Sequence, residues 1–170
     1  MAVGTRRRDA EFTEFVVSRR VRLHRTAYLM CGDPHRAEDI VQQALAKLYV
    51  SWPRVRRAES VDAYARRSVL NAFLDDGARS SRREVAAEIE DRAQPDRLSH
   101  EDADALWDAL RELPPGQRRV VVLRHYWGLS VEETAADLGI STGTVKSQTA
   151  AALTRLRGAL VPADVTGENR

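Results

Sequence analysis

Apolar residues recur at helical spacing along most of the chain, and β-branched alternation is absent. Phe12, Phe15, Val16, Leu23, Ala27 and Met30 mark one face of a helix over about 9–31. Gly32-Asp33-Pro34 stops it: the glycine permits a left-handed cap and the proline opens the next helix. That helix, about 34–52, carries the sharpest stripe, with Ala37, Ile40, Val41, Ala44, Leu45, Leu48 and Trp52 on one side. Pro53 is expected to end it. A basic loop over 54–59 follows. Ser60 is placed to cap a third helix over about 61–79, with Val61, Tyr64, Ala65, Val69, Ala72 and Phe73 as its buried side. Three helices of this length bury a common core by themselves.

The period is lost between 80 and 100 and returns in a second unit. Leu106, Ala109, Leu110 and Leu113 stripe a helix that ends at Pro114-Pro115. Val120, Val121 and Leu123 face inward from a helix over 117–126, which Gly128 ends. Ser130 with Glu133 three residues on forms a capping box for a short helix over 131–137. Gly139 makes a tight turn, and Ser141 or Thr142 starts a last helix to about 160. The predicted fold is all-α. Two small helical domains, 9–83 and 101–160, are joined by a linker over 84–100. A disordered N-terminus is expected over 1–8 and a flexible tail over 161–170.

Charge sharpens this division. Residues 1–83 hold 17 basic and 10 acidic residues, a net +7. Residues 84–112 hold 3 basic and 10 acidic, a net −7, and 113–160 hold 6 basic and 3 acidic, a net +3. Two basic lobes on an acidic tether suit two contacts with one polyanion. No apolar run approaches the ~18 residues a membrane span needs, and no secretory signal opens the chain, so a cytoplasmic protein without a membrane segment is expected. Cys31 stands alone, and His24, His35, His100 and His125 are scattered, so neither a metal nor another cofactor is expected. There is no glycine-rich phosphate loop and no Ser-His-Asp spacing. Asp75-Asp76 are adjacent and point apart on a helix. No enzyme activity is expected.

Residues 130–157 carry the most specific signal. Ala135, Gly139 and Val145 occupy the three positions a helix-turn-helix constrains most: a small residue where the helices cross, a positive-φ turn, and an apolar residue packing the second helix on the first. Leu138 and Ile140 lie between them. The second helix of such a unit enters the major groove by its N-terminal residues. Here those are Thr142, Thr144, Lys146, Ser147 and Gln148, all able to meet phosphates or base edges. Arg155 and Arg157 are placed for backbone contact.

AEDIVQQALAKLYVSW over 37–52 resembles region 2.2 of bacterial sigma factors, and GTVKS over 143–147, after LGIS, resembles their region 4.2. Two lobes around a variable linker resemble the extracytoplasmic-function (ECF) sigma factors, which keep only domains 2 and 4. The phrases EFTEFV, RTAYLMCGDPHRAEDIVQQALAKLY and VEETAADLG…GTVKSQT are similar to the sigma-E-type subfamily common in actinomycetes. The resemblance implies a transcription initiation factor that binds core RNA polymerase and directs recognition and opening of promoter DNA. In region 2.2 it implies that Asp39, Gln42, Gln43 and Lys47 meet the clamp helices of the β′ subunit, and the first three indeed lie off the apolar stripe. Arg54, Arg56 and Arg57 would meet the backbone of the opening −10 strand, with Arg66, Arg67 and Asn71 along the helix that approaches it. Tyr64 and Phe73 are able to stack on an unpaired base, but their place on the buried stripe assigns both to the core. Thr142, Thr144, Lys146, Ser147, Gln148 and Arg155 would read the −35 element. Ala151 stands where relatives often carry a basic residue. The β flap and an anti-sigma factor complete the implied partners. A helix-turn-helix regulator of another kind, or a polymerase-binding decoy without promoter activity, is the alternative.

Overall fold

The structure, a computed structural model, describes the backbone of residues 2–84 and 101–160 and the side chains of 4–79 and 106–158. The expected linker beyond Glu84 and the tail over 161–170 lie outside the described residues. The chain divides into two units, 1–99 and 100–170. The described residues contain helices and turns but no strand.

The first unit is a three-helix bundle of α1 (Ala2–Cys31), α2 (Pro34–Val55) and α3 (Val61–Glu84). Gly32 takes φ 72° and ends α1, while the Asp33 carboxylate accepts the Arg36 amide at 2.9 Å and starts α2 with Pro34 in its first turn. Ser60 caps α3 by accepting the Ala63 amide at 3.1 Å. Leu23, Ala27 and Met30 of α1 are buried with Ile40, Val41, Ala44 and Leu48 of α2 and Ala65, Val69, Leu70 and Ala72 of α3. At the far end Trp52 sits between Phe12 and Phe15, with ring centroids 5.1 and 5.2 Å away.

Three expectations need correction. Residues 1–8, expected disordered, are helical from Ala2. Arg7 pairs with Glu11 at 3.0 Å, Arg8 stacks 4.1 Å above the Tyr49 ring, and the Tyr49 hydroxyl donates to Asp9 at 2.6 Å, which ties these turns to α2. Pro53 does not end α2, which runs on to Val55. A proline removes the hydrogen bond to the carbonyl four residues back and its ring crowds that carbonyl, and the burial of Trp52 and Val55 on one face outweighs that cost. Tyr64 is 38% exposed rather than in the core. The buried face of α3 centres on Ala65, Val69 and Ala72, and Tyr64 lies about 100° off it.

The second unit contains α4 (Glu101–Leu110), α5 (Pro115–Val121), a π-helical turn (Val122–Tyr126), α6 (Val131–Leu138) and α7 (Thr142–Leu160). The sequence reading placed one helix over 117–126. The structure widens its second half, where the Trp127 amide reaches back to the Val122 carbonyl at 3.2 Å. Val120, Val121, Val122 and Leu123 are all buried across this junction. Arg118 locks α4 to α5. Its guanidinium donates to the carbonyls of Leu110, Arg111 and Leu113 at 3.0–3.2 Å and lies 4.8 Å from the Trp107 ring centre. It thereby satisfies carbonyls that a helix C-terminus leaves without partners. Leu106, expected inside, is exposed, and burial in this stretch is concentrated in Leu110 and Leu113.

Candidate nucleic-acid interface

The helix-turn-helix is built by local chemistry. Ser130 Oγ accepts the Glu133 amide at 3.0 Å, and the Glu133 carboxylate accepts the Ser130 amide at 2.8 Å, so the expected capping box is complete. α6 ends on Gly139 at φ 65° and ψ 35°, a conformation that costs a side-chain-bearing residue. The Ile140 amide then returns to the Ala135 carbonyl at 3.1 Å. Ala135, Val145 and Val120 form one buried cluster, with Val131, Leu138 and Ile140 packed against it. Ala135 and Val145 thus meet where the helices cross, and Gly139 makes the turn between them.

Ser141 caps α7. Its hydroxyl accepts the Thr144 amide at 3.1 Å and lies 2.8 Å from the Thr144 hydroxyl. Thr142, Lys146, Ser147 and Arg155 are exposed on this helix, and Thr144 is half-buried. Lys146 and Arg155 take part in no ion pair among the described residues. Gln148 departs from the expected outward row. It is half-buried, its amide packs against Gly116 on α5, and its side-chain oxygen is buried without a hydrogen bond. A Cβ at position 116 would lie 3.1 Å from the Gln148 nitrogen, so the glycine makes the space the amide occupies.

In the first unit, Asp39 and Gln42 are exposed on α2, and Gln43 is half-buried at the edge of the core face. Gln42 donates to Glu38 at 3.1 Å. Lys47 is exposed and pairs with Asp75 on α3 at 3.1 Å. Val50 continues this side of α2 at 75% exposure. Sequence reasoning missed it because one apolar residue off the stripe carries no periodic signal.

The residues expected on the −10 side divide into three groups. Arg54, Arg57, Arg67 and Asn71 are exposed. Arg56 is held by Glu11 of α1 at 2.5 Å, a contact between residues 45 apart. Arg66 is only 6% exposed, which removes it from the surface row the sequence suggested. Tyr64, Arg67 and Asn71 follow one another at i, i+3 and i+7 and so share the outer face of α3. The hydrogen bond from Arg56, then that from Arg7, hold the Glu11 carboxyl below its ordinary pKa. Burial pushes the Cys31 thiol up to about 11, so it stays protonated at neutral pH and is a poor nucleophile. Among the described residues no group of His, Cys, Asp and Glu is arranged to hold a metal, and no helix is long and apolar enough to cross a membrane.

Comparison with known proteins gives these surfaces a context. The Sigma-70 region 2 family model matches residues 15–84, and the Sigma-70 region 4 model matches residues 103–156. The chain is 41% identical over 157 residues to the RNA polymerase sigma-E factor of Streptomyces coelicolor, covering 91% of this chain and 89% of the relative. It is 36% identical over 136 residues to the ECF RNA polymerase sigma factor SigM of Mycobacterium tuberculosis, covering 79% of this chain and 69% of that one. In fold it is similar to the sigma factor RpoE solved in complex with the anti-sigma factor NepR from Bartonella quintana. That match has a TM-score of 0.72 and 24% identity, over 91% of this chain and 99% of the other. CnrH, solved in complex with the cytosolic domain of CnrY, matches with a TM-score of 0.64 and 24% identity over 92% and 91%. The chain therefore belongs to the ECF sigma factors of the sigma-70 family and is a promoter-recognition subunit that works with RNA polymerase core.

Proposed function

We propose that the two units divide the work of initiation. The first, about residues 9–83, docks the outward side of α2 on the β′ clamp helices through Asp39, Gln42, Gln43 and Lys47, with Val50 extending the contact. The exposure of Asp39, Gln42, Lys47 and Val50 beside a fully formed core supports this. Arg54, Arg57, Arg67 and Asn71 then follow the −10 DNA, and Arg56 joins them once it leaves Glu11. Exposed Tyr64 is the aromatic surface available to an unpaired base.

The second unit, about 101–160, places the first turns of α7 in the −35 major groove and meets the β flap. Thr142, Thr144, Lys146, Ser147 and Arg155 contact DNA, and Gln148 reaches it only by turning out from Gly116. Buried Val145 beneath a capped, polar helix start is the single observation that carries this reading. Two modest contacts on one polymerase reinforce each other through effective concentration. The polymerase performs the chemistry in the cytoplasm, and this chain contributes specificity without catalysis. An anti-sigma factor is a further partner, in keeping with the neighbour solved in complex with one.

Run-off transcription from a fragmented genomic template, using core polymerase of a GC-rich bacterium, tests the assignment. Discrete new transcripts that need this chain are expected, and they weaken with Lys146→Ala or Arg54→Gln/Arg57→Gln. Binding to core without transcripts would favour the decoy. No binding to core would overturn the role given to α2.

A further inference from the structure

The first turns of α1 carry Arg6, Arg7 and Arg8 in succession. Arg7 reaches Glu11 and Arg8 lies on the Tyr49 ring, whereas exposed Arg6 takes part in no ion pair among the described residues. Packing brings these turns to the segment that follows α2. Arg8 lies on Tyr49, Asp9 accepts from Tyr49, and Phe12 sits edge-on to Tyr49 and Trp52 at 5.1 Å each. The Glu11 carboxylate then joins the two segments directly, one oxygen 3.0 Å from Arg7 Nε and the other 2.5 Å from an Arg56 terminal nitrogen.

Residues 6–11 and 54–59 together hold six arginines against Asp9, Glu11 and Glu59. Arg6, Arg54 and Arg57 are exposed and take part in no ion pair among the described residues, and the Arg7 side chain is 80% exposed. Arg8 is set apart by its stacking. The remaining guanidiniums form a positive surface built from two chain segments. We infer that Arg6 and Arg7 bind promoter DNA phosphates as part of one surface with Arg54 and Arg57, so that the start of α1 grips the DNA beside the −10 element. This rests on the reading that the 54–57 segment meets −10 DNA.

Neutralising two phosphate contacts changes the salt dependence of binding by a known amount: each contributes about 0.9 to the slope of log K against log salt on duplex DNA and about 0.7 on single strands. Holoenzyme carrying Arg6→Gln/Arg7→Gln is expected to show a slope shallower by roughly 1.4–1.8, with affinity for core polymerase unchanged. A fully paired promoter fragment and one with a pre-melted −10 segment separate the two sources of phosphate: the larger loss marks the form these arginines hold. Arg6→Lys/Arg7→Lys keeps the charge and is expected to restore the slope, which a packing defect would not allow. Arg54→Gln/Arg57→Gln is the companion. If it flattens the slope and Arg6→Gln/Arg7→Gln does not, the inference fails and the −10 reading stands. If neither changes the slope, the −10 reading fails and takes the inference with it. Weaker core binding with an unchanged DNA slope assigns the surface to a protein partner and overturns the proposal.

Discussion

The two units hold their cations differently. In the first, charged side chains tie helix to helix: Arg19 to Asp62 at 2.8 Å, Arg36 to Asp76 at 2.5 Å, Lys47 to Asp75 at 3.1 Å, and Arg56 to Glu11 at 2.5 Å. In the second, the fold is set by caps, a left-handed glycine and small apolar residues, and Lys146 and Arg155 take part in no ion pair among the described residues. A partner that needs Arg56 or Lys47 competes with the carboxylates that hold them. The second unit presents Lys146 and Arg155 ready for use. Each surface pair is worth little by itself, so this competition tunes affinity and leaves the fold standing.

The largest effect separates core from surface. Leu123→Ala in the second unit and Leu70→Ala in the first remove fully buried side chains and are each expected to cost about 2–5 kcal/mol. Denaturant unfolding followed at amide signals of α7 and of α2 reads them. If Leu123→Ala left α7 unaffected, the second unit would not unfold as one cooperative body. Next comes Gly139→Val, which forces a β-branched residue to φ 65° and is expected to cost about 1–3 kcal/mol. The −35 duplex affinity should fall with it, while Gly139→Asn should be milder because asparagine tolerates the left-handed region. Equal losses from the two would point to a contact at the turn rather than to strain.

That contrast also explains what was legible in the sequence. The helix-turn-helix could be read residue by residue because its determinants are local: Ser130 and Glu133 are three apart, and Gly139 decides one turn. The apolar stripes of α1 and α2 were legible for the same reason. The Arg56–Glu11 contact spans 45 residues and leaves no periodic trace, so Arg56 read as a free DNA contact. Arg118 read as one more charge, though it closes the end of α4. Tyr64 and Arg66 exchanged their expected places because the face of α3 was judged one residue out of phase. Gln148 turned inward because Gly116, 32 positions earlier, leaves it room, and neither residue announces the other.

A smaller effect tests the free cations of the second unit. Lys146→Ala is expected to lower the salt slope for −35 duplex binding by about 0.9 with no change in unfolding, since the side chain is exposed and takes part in no ion pair among the described residues. A destabilised protein with an unchanged slope would give Lys146 a structural role. Gly116→Ala sharpens the same comparison from the other side. The added methyl presses on the Gln148 amide and should turn it toward solvent, changing base preference at the −35 element by more than it changes stability.

The smallest effect concerns Glu11, where the competition in the first unit can be relieved by one atom. Its carboxyl is held below the ordinary value by Arg56 and then Arg7, so the charged pairs persist into mildly acidic solution. For a carboxyl lowered in this way, the stabilisation is present above its unfolded-state pKa and is lost as pH falls through the folded one. An NMR titration of the Glu11 side chain should therefore show a midpoint below that of an ordinary glutamate, and Arg56→Gln should raise it. Glu11→Gln keeps the shape and removes the charge. Arg56 and Arg7 then meet DNA phosphates without a rival, so promoter affinity should rise slightly and the salt slope should steepen at neutral pH. Weaker binding by Glu11→Gln would reverse the roles: the carboxylate would be aiming Arg56 at the DNA, and the first unit's ion pairs would prepare its cations rather than restrain them.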